Sequence, residues 1–95
     1  MRLDLFLKAT RLCARRTVAQ KLCEARRVTI NDNPAKSSHI VKPGDEVSIT
    51  RGPKLIRVRV LAVPSARQTS RKEAAALYEI LNEEVLVEPD ILSGV

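Results

Sequence analysis

The chain has 95 residues, of which 44% are hydrophobic, and this is enough to build one small domain without metal or disulfide staples. A net charge of +6 accumulates within the first 27 residues, which hold eight of the seventeen Lys and Arg side chains and two acids, whereas residues 64–95 are net acidic. No stretch approaches the roughly 20 apolar residues of a membrane span, and no apolar signal core follows the charged start, so we expect a cytoplasmic protein whose basic end binds a polyanion, most commonly nucleic acid.

Two helices open the predicted fold. Leu3, Phe6 and Leu7 have the i, i+3, i+4 spacing of a short helix with one buried stripe. Thr17, followed three residues later by Gln20, has the pattern of a capping box with Thr17 as N-cap. This pattern and the apolar spacing after it predict a second helix from about Thr17 to Ala25.

Three strands and a third helix follow. Residues 28–30 and 47–50 are short β-branched runs, and residues 55–63 alternate apolar and polar side chains, with Arg57 and Arg59 on the exposed side. Each run predicts a strand. After a polar linker at 64–69, Ser70-Arg71-Lys72-Glu73 is a second capping box, which predicts a helix from about Arg71 to Glu84 with an apolar stripe at 77, 80 and 81.

Side chains suited to metal binding or catalysis are few. Cys13 and Cys23 do not form a C-x-x-C pair, and the single histidine, His39, lies beyond both. We interpret the cysteines as buried free thiols and His39 as a solvated loop residue. The sequence therefore predicts no metal, no cofactor and no catalytic residue.

The arginines before the second helix form a candidate phosphate site. Arg15 and Arg16 immediately precede the predicted N-cap, so they flank a helix terminus whose unpaired N–H groups and dipole favour an anion. An arginine fork holds two phosphate oxygens at once. We expect Arg2 to form a second wall of this phosphate site, with Asp4 orienting an arginine. The candidate binding residues are Arg2, Arg11, Arg15, Arg16, Thr17, Lys21, Arg27 and Lys36, supported by Asp4 and Gln20.

The aromatic content limits the kind of recognition. Single-strand readers stack bases on exposed aromatic rings, and Phe6 and Tyr78 are the only aromatic residues, the first on an apolar helical stripe and the second interpreted as an edge of the core. We therefore expect recognition of the backbone and shape of folded RNA.

A set of residues in the first half of the chain has the order and spacing of a known domain. These residues are Met1 to Asp4, Leu7, Arg16, Thr17, Ala19, Arg27, Val28, Ile30, Asn31, Val41 and Pro43 to Asp45. They resemble the RNA-binding domain named after the fourth small-subunit ribosomal protein. Within that superfamily the chain is similar to the stand-alone bacterial members, the families of the fifteen-kilodalton heat-shock RNA-binding protein and the ribosome quality-control factor RqcP.

We therefore expect an α+β fold, with two N-terminal helices packed on a small, mainly antiparallel sheet and an appended C-terminal helix. Residues 1–63 would be the RNA-binding domain, residues 64–84 a linker and a helix packed on it, and residues 85–95 a flexible tail. Two positions depart from the resembled domain, since Arg26 and Asp32 stand where it usually has glycine. A positive φ at Arg26 costs on the order of 1 kcal/mol, whereas aspartate tolerates that conformation.

The resemblance implies a non-enzymatic factor that binds large ribosomal subunits still holding peptidyl-tRNA after a stalled ribosome has split. Its expected partners are large-subunit RNA and peptidyl-tRNA, and we expect a monomer. A general module for structured rRNA or tRNA is an alternative. A DNA-binding regulator would need Gln20, Glu24 and Arg27 to read a major groove. An RNA-modifying enzyme would need a catalytic domain, which the sequence does not contain.

Overall fold

The computed structural model describes residues 1–64 and 70–85. Three helices and five strands follow one another as α1 (Leu3–Ala9), α2 (Arg16–Glu24), β1 (Val28–Ile30), β2 (Asn33–Pro34), β3 (Glu46–Arg51), β4 (Lys54–Val60), α3 (Arg71–Ala76) and β5 (Tyr78–Val85). The strands form one antiparallel sheet in the order β2-β1-β3-β4-β5. The predicted α+β class is confirmed. Neither described range contains a helix with the length and apolar character needed to cross a membrane.

The core lies between the two N-terminal helices and one face of the sheet. Strand residues alternate between the two faces, so Val47, Ile49 and Val58 point to the core, where they are at most 1% exposed. The helices contribute the fully buried Leu3 and Phe6, among others. Burial of an apolar side chain of this size stabilises a fold by roughly 1.5–3 kcal/mol, so this cluster holds α1 and α2 in place over the sheet.

The N-terminus is tied to the loop that precedes β3. The backbone N–H of Leu3 donates to the carbonyl of His39 at 2.7 Å, and that of Asp4 donates to Ser37 at 3.1 Å. In return, the N–H of Val41 donates to the carbonyl of Met1 at 2.9 Å. Because these bonds occupy N–H groups at the start of α1, they also determine where the side chains of the first four residues lie.

The start of α2 differs from the prediction. The helix begins at Arg16, the N-cap is Arg15 in an extended conformation, and its side chain makes no capping hydrogen bond. Thr17 is therefore not the N-cap, and the capping box with Gln20 is wrong. The physical reason is long-range: the Gln20 amide donates to the buried Asp4 carboxylate at 2.9 Å, and a charge-assisted bond of this kind is stronger than a neutral cap.

The C-terminal element also differs. The capping box at Ser70 and Glu73 is confirmed, with Glu73 N donating to Ser70 Oγ at 3.1 Å and Ser70 N to Glu73 Oε1 at 3.3 Å. The helix nevertheless ends at Ala76, so the predicted extension to Glu84 is wrong. Tyr78–Val85 instead forms β5, which pairs with β4.

The pairing explains why this segment is extended. Tyr78 lies opposite Val60 and Ile80 opposite Val58, so β5 satisfies the outer backbone groups of β4, which a continued helix would leave unpaired. The register shifts between Arg57 and Val58. Most of the predicted linker, at 65–69, and most of the predicted tail, at 86–95, lie outside the described residues.

Both α1 and α2 end with an arginine in the left-handed region. Arg26 has φ 60°, and the N–H of Arg27 donates to the Leu22 carbonyl at 2.9 Å while that of Arg26 donates to Cys23 at 3.0 Å. This is the Schellman arrangement, which favours glycine at its positive-φ position. Arg11 has φ 63° after α1. Asp32, at φ 69°, takes the expected conformation, and Asn31, at φ 51°, shares it.

The strain at Arg26 can be tested by glycine substitution. We expect Arg26→Gly to raise the free energy of unfolding by up to about 1 kcal/mol, since glycine adopts positive φ without a Cβ clash, although its greater unfolded-state entropy offsets part of the gain. Urea unfolding measures the change. Ala25→Gly is the matched control, because Ala25 has φ −80° and glycine there should destabilise the protein by roughly 0.5–1 kcal/mol. A clear loss of stability in Arg26→Gly would contradict the prediction.

Candidate nucleic-acid interface

A buried carboxylate organises the basic end of the molecule. The Asp4 side chain is 0% exposed and lies beneath Arg2 and Arg16, whose side chains are 41% and 40% exposed. Arg16 Nε donates to Asp4 Oδ2 at 3.0 Å, and Arg2 Nη2 donates to the same oxygen at 3.3 Å. Gln20 Nε2 donates to Oδ2 at 2.9 Å. We call Arg2, Asp4, Arg16 and Gln20 the guanidinium cluster.

The other members of the cluster keep the Asp4 carboxyl ionised. Burial by itself raises the pKa of this carboxyl, but the hydrogen bonds from Gln20 and Arg16 and the charges of Arg16 and Arg2 outweigh it, so the pKa lies below its ordinary value of 3.8. Asp4 is therefore a negative charge at neutral pH. It holds two arginines against their mutual repulsion and leaves the cluster with a net charge of +1.

The free parts of the two arginines are available to an anion. Arg16 bonds to Asp4 through Nε, and within the described residues its two Nη groups have no hydrogen-bond partner. Arg16 is also the first residue of α2, where the backbone N–H groups of the first turn lack intrahelical acceptors. Guanidinium forks beside a helix N-terminus bind phosphate well.

The other predicted residues have different positions around this cluster. Arg15 is exposed at the N-cap, and Thr17 and Lys21 are exposed one turn apart on α2. Arg11 follows α1. Arg27 lies beyond the opposite end of α2, and Lys36 lies in the loop after β2. The structure therefore brings Arg2, Arg16, Gln20 and Asp4 into contact, whereas Arg27 and Lys36 are separate from them.

Two further exposed basic residues were missed as candidates from the sequence. Arg51, at the end of β3, donates from Nη1 to the Leu12 carbonyl at 3.2 Å and so lies beside the turn between α1 and α2. Arg26 lines a cleft with Lys36. No local sequence signal marks Arg51, because its proximity to Leu12 depends on how the sheet packs on the helices.

The outer face of the sheet is self-neutralised. Arg57 pairs with Asp32 at 3.0 Å, and Arg59 lies 3.6 Å from Glu46 and 3.7 Å from Glu79. Arg57 Nε also donates to Ser48 Oγ at 3.2 Å. The interpretation of these two arginines as the exposed side of a strand is confirmed, and their charge is balanced by carboxylates, in contrast to that of the guanidinium cluster.

Both cysteines are free and buried, as predicted. Burial raises the pKa of the Cys13 thiol despite the opposing charge of Arg51. Burial, together with the negative charge of Asp4 and smaller effects of Cys13 and Glu24, raises the pKa of Cys23 to about 11. Both thiols are therefore protonated at neutral pH and are weak nucleophiles and metal ligands.

The comparisons with known proteins agree with this geometry. The S4 domain family matches residues 1–47, a range that contains the guanidinium cluster and both N-terminal helices. The fold and the site thus define a protein of the S4 class, and the predicted resemblance is confirmed.

Two curated relatives define the family more closely. The RQC P-site tRNA stabilizing factor of Bacillus subtilis is 48% identical over 88 residues, covering 93% of this chain and all of the relative. The factor of the same name from Halalkalibacterium halodurans is 49% identical over 85 residues, covering 88% of this chain and 93% of the relative. The chain belongs to the family of RQC P-site tRNA stabilizing factors.

Solved structures share the fold over nearly the whole chain. The trimeric structure of Vibrio cholerae Heat Shock Protein 15 superposes with a TM-score of 0.77 at 25% identity, covering 98% of this chain and 87% of that one. A solution structure of a hypothetical protein gives 0.76 at 30% identity, covering 88% of this chain and all of that one. The similarity therefore extends beyond the S4 match into the C-terminal elements.

The lowered pKa of Asp4 predicts a pH-dependent stability. We expect Asp4→Asn to lower the free energy of unfolding by about 1–3 kcal/mol at pH 7, because an amide cannot replace the charged acceptor. The benefit of the native carboxylate is complete well above pH 3.8, its ordinary pKa, and is lost as the pH falls through the lower folded value. Urea unfolding from pH 7 to pH 3 measures the difference between the two proteins, which should shrink with falling pH. Glu84→Gln, at an exposed carboxylate, is the control; a pH-independent loss in Asp4→Asn would contradict the account.

Proposed function

We propose that the protein binds RNA of the large ribosomal subunit and acts in ribosome quality control, on stalled subunits that carry peptidyl-tRNA. It acts by binding and not as an enzyme, in the cytoplasm where ribosomes work. The observation that carries the proposal is the guanidinium cluster at the start of α2, in a chain whose relatives are named as factors that stabilise tRNA in the P site.

The binding surface is basic and requires little rearrangement. Because Asp4 is buried and hydrogen-bonded, Arg2 and Arg16 are held in position before a ligand arrives, which lowers the entropy lost on binding. Arg15, Thr17 and Lys21 extend the surface along α2, and Arg11, Arg27 and Lys36 enlarge it at both ends. Contacts of this kind position phosphates and do not read base sequence.

We propose that residues 1–63 carry RNA binding and that a single chain is the binding unit. All four members of the guanidinium cluster come from one chain, so the phosphate site needs no second copy. The later elements support the domain through the pairing of β5 with β4.

A general module for structured RNA remains the second candidate, and one observation favours it. The cluster contacts described above bind phosphate irrespective of which RNA supplies it. A DNA-reading role has less support, since Gln20, one of its three candidate residues, donates its amide to Asp4.

The placement of the binding face can be tested with two matched arginines. Arg16→Ala should weaken binding to all structured RNAs by a similar factor, whereas Arg59→Ala, at a side chain of similar exposure, 46% against 40%, should change binding little. Fluorescence anisotropy against ribosomal RNA fragments measures both, and the slope of log affinity against log salt should correspond to roughly three to five released ions. Arg15→Ala is a further variant that leaves the Asp4 contacts intact. Equal losses at Arg16 and Arg59, or a flat salt response, would mean that the face is misplaced.

The quality-control role makes a stricter prediction. The protein should co-sediment with large subunits carrying peptidyl-tRNA in preference to empty large subunits, and Arg16→Ala should reduce the bound fraction. Density-gradient sedimentation of tagged protein with the two kinds of subunit measures the preference, with small subunits as the control. Equal binding to filled subunits, empty subunits and bulk RNA would leave only the general RNA-binding module.

A further inference from the structure

A cleft of about 400 Å³ opens between the C-terminal end of α2 and the β1–β2 hairpin. Its volume falls in the range of roughly 300–1,000 Å³ that small-ligand sites occupy. The residues that line it are Cys23, Glu24, Arg26, Pro34, Ala35 and Lys36. The cleft lies farther along α2 than the guanidinium cluster, and Glu24 is one helical turn beyond Gln20 on the same side of the helix.

The walls of the cleft differ in character with depth. Cys23 and Ala35 are 6% and 8% exposed and form the apolar inner part. Glu24, Arg26 and Lys36 are exposed at its mouth. Among residues 1–64 and 70–85, none of these three charged side chains has a hydrogen-bond or ion-pair partner of its own. An apolar floor beneath unpaired polar groups fits a flat heteroaromatic ring with a polar edge and a charged substituent.

We propose that this cleft receives one unstacked guanine nucleotide of the RNA held by the guanidinium cluster. The proposal rests on the proposed function, since the same RNA must supply the base. Glu24 accepts hydrogen bonds from the guanine, and Arg26 and Lys36 bind the phosphates on either side of it. RNA sequence is read in this way, through bases that are turned out of loops or bulges.

The carboxylate of Glu24 selects among the bases. Guanine presents two adjacent donors, N1–H and the N2 amino group, which match the two oxygens of one carboxylate. Adenine and cytosine offer one amino group beside a ring-nitrogen acceptor, and uracil offers N3–H between two carbonyl oxygens. Only guanine satisfies both carboxylate oxygens without placing an acceptor against a negative charge.

Arg26 places a guanidinium group at the mouth of the cleft from a backbone conformation that favours glycine. Arg26 has φ 60°, a conformation that glycine adopts more readily. A glycine would close α2 with less strain but would remove the guanidinium group from the mouth of the cleft.

The position of the cleft along α2 agrees with a single RNA strand on both sites. Arg16, Gln20 and Glu24 follow one another at intervals of four residues and share one side of the helix. At 1.5 Å per residue, Arg16 and Glu24 are about 12 Å apart along the axis. A few consecutive nucleotides cover this distance, so a phosphate on Arg16 and a base at Glu24 are compatible.

Four RNA hairpins that differ only in the identity of one bulged nucleotide test the proposal. Fluorescence anisotropy with the full chain should give at least fivefold tighter binding for the guanine bulge than for the other three. Glu24→Gln should remove this preference, because the amide places a donor against a guanine donor, and Glu84→Gln should retain it. Arg26→Gly should weaken binding of the guanine hairpin by threefold or more without loss of folding.

The variants separate the two proposals. Arg16→Ala should weaken all four hairpins by one common factor and leave the guanine preference unchanged. Equal affinity for the four bulges in the native protein, or a guanine preference that survives in Glu24→Gln, overturns the guanine site and leaves the proposed function standing. As an independent measure, guanosine monophosphate should shift the amide NMR signals of residues 23–27, Ala35 and Lys36 more than uridine monophosphate does. Equal shifts also overturn the site.

Discussion

The buried carboxylate of Asp4 is the interaction on which the basic end of this protein depends. It receives hydrogen bonds from Arg2, Arg16 and Gln20, and so connects the N-terminus, α1 and α2. A carboxylate with no solvent exposure would destabilise the fold if charged donors did not bind it. The two arginines among these donors are also the groups that we propose to bind RNA phosphates. On that proposal, folding and binding are coupled at this point, and a change to either arginine affects both.

Charge is distributed so that one side of the molecule attracts a polyanion. At the start of α2 one buried acid holds two arginines, and further basic residues surround them. On the outer face of the sheet, Arg57 and Arg59 are matched by Asp32, Glu46 and Glu79. Exposed pairs of this kind add little stability. Their effect is to leave the unbalanced positive charge on the N-terminal helices, the surface that we propose to bind RNA.

The cleft farther along α2 is the proposed source of selectivity for an otherwise phosphate-directed site. Phosphate contacts alone bind any folded RNA, whereas a carboxylate at the mouth of a cleft distinguishes the donor pattern of one base. Arg26 affects both the end of α2 and the cleft. It ends α2 in a conformation that favours glycine, and its side chain enlarges the basic rim of the cleft. Local stability and the proposed ligand contact thus impose opposite demands on one residue.

The sequence by itself determined the features that depend on neighbouring residues. Apolar spacing located α1, β-branched runs located β1 and β3, and the capping box of Ser70 and Glu73 marked the start of α3. The concentration of arginines before α2 also identified Arg2, Asp4 and Arg16 as candidates, because that pattern is local in sequence. Only the tertiary structure decided that Gln20 bonds to Asp4, that Tyr78–Val85 pairs with β4, and that residues of α2 and the β1–β2 hairpin share a cleft. These outcomes join segments distant in sequence, and a buried charge or an unpaired strand edge outweighs the modest local preference for a cap or a longer helix.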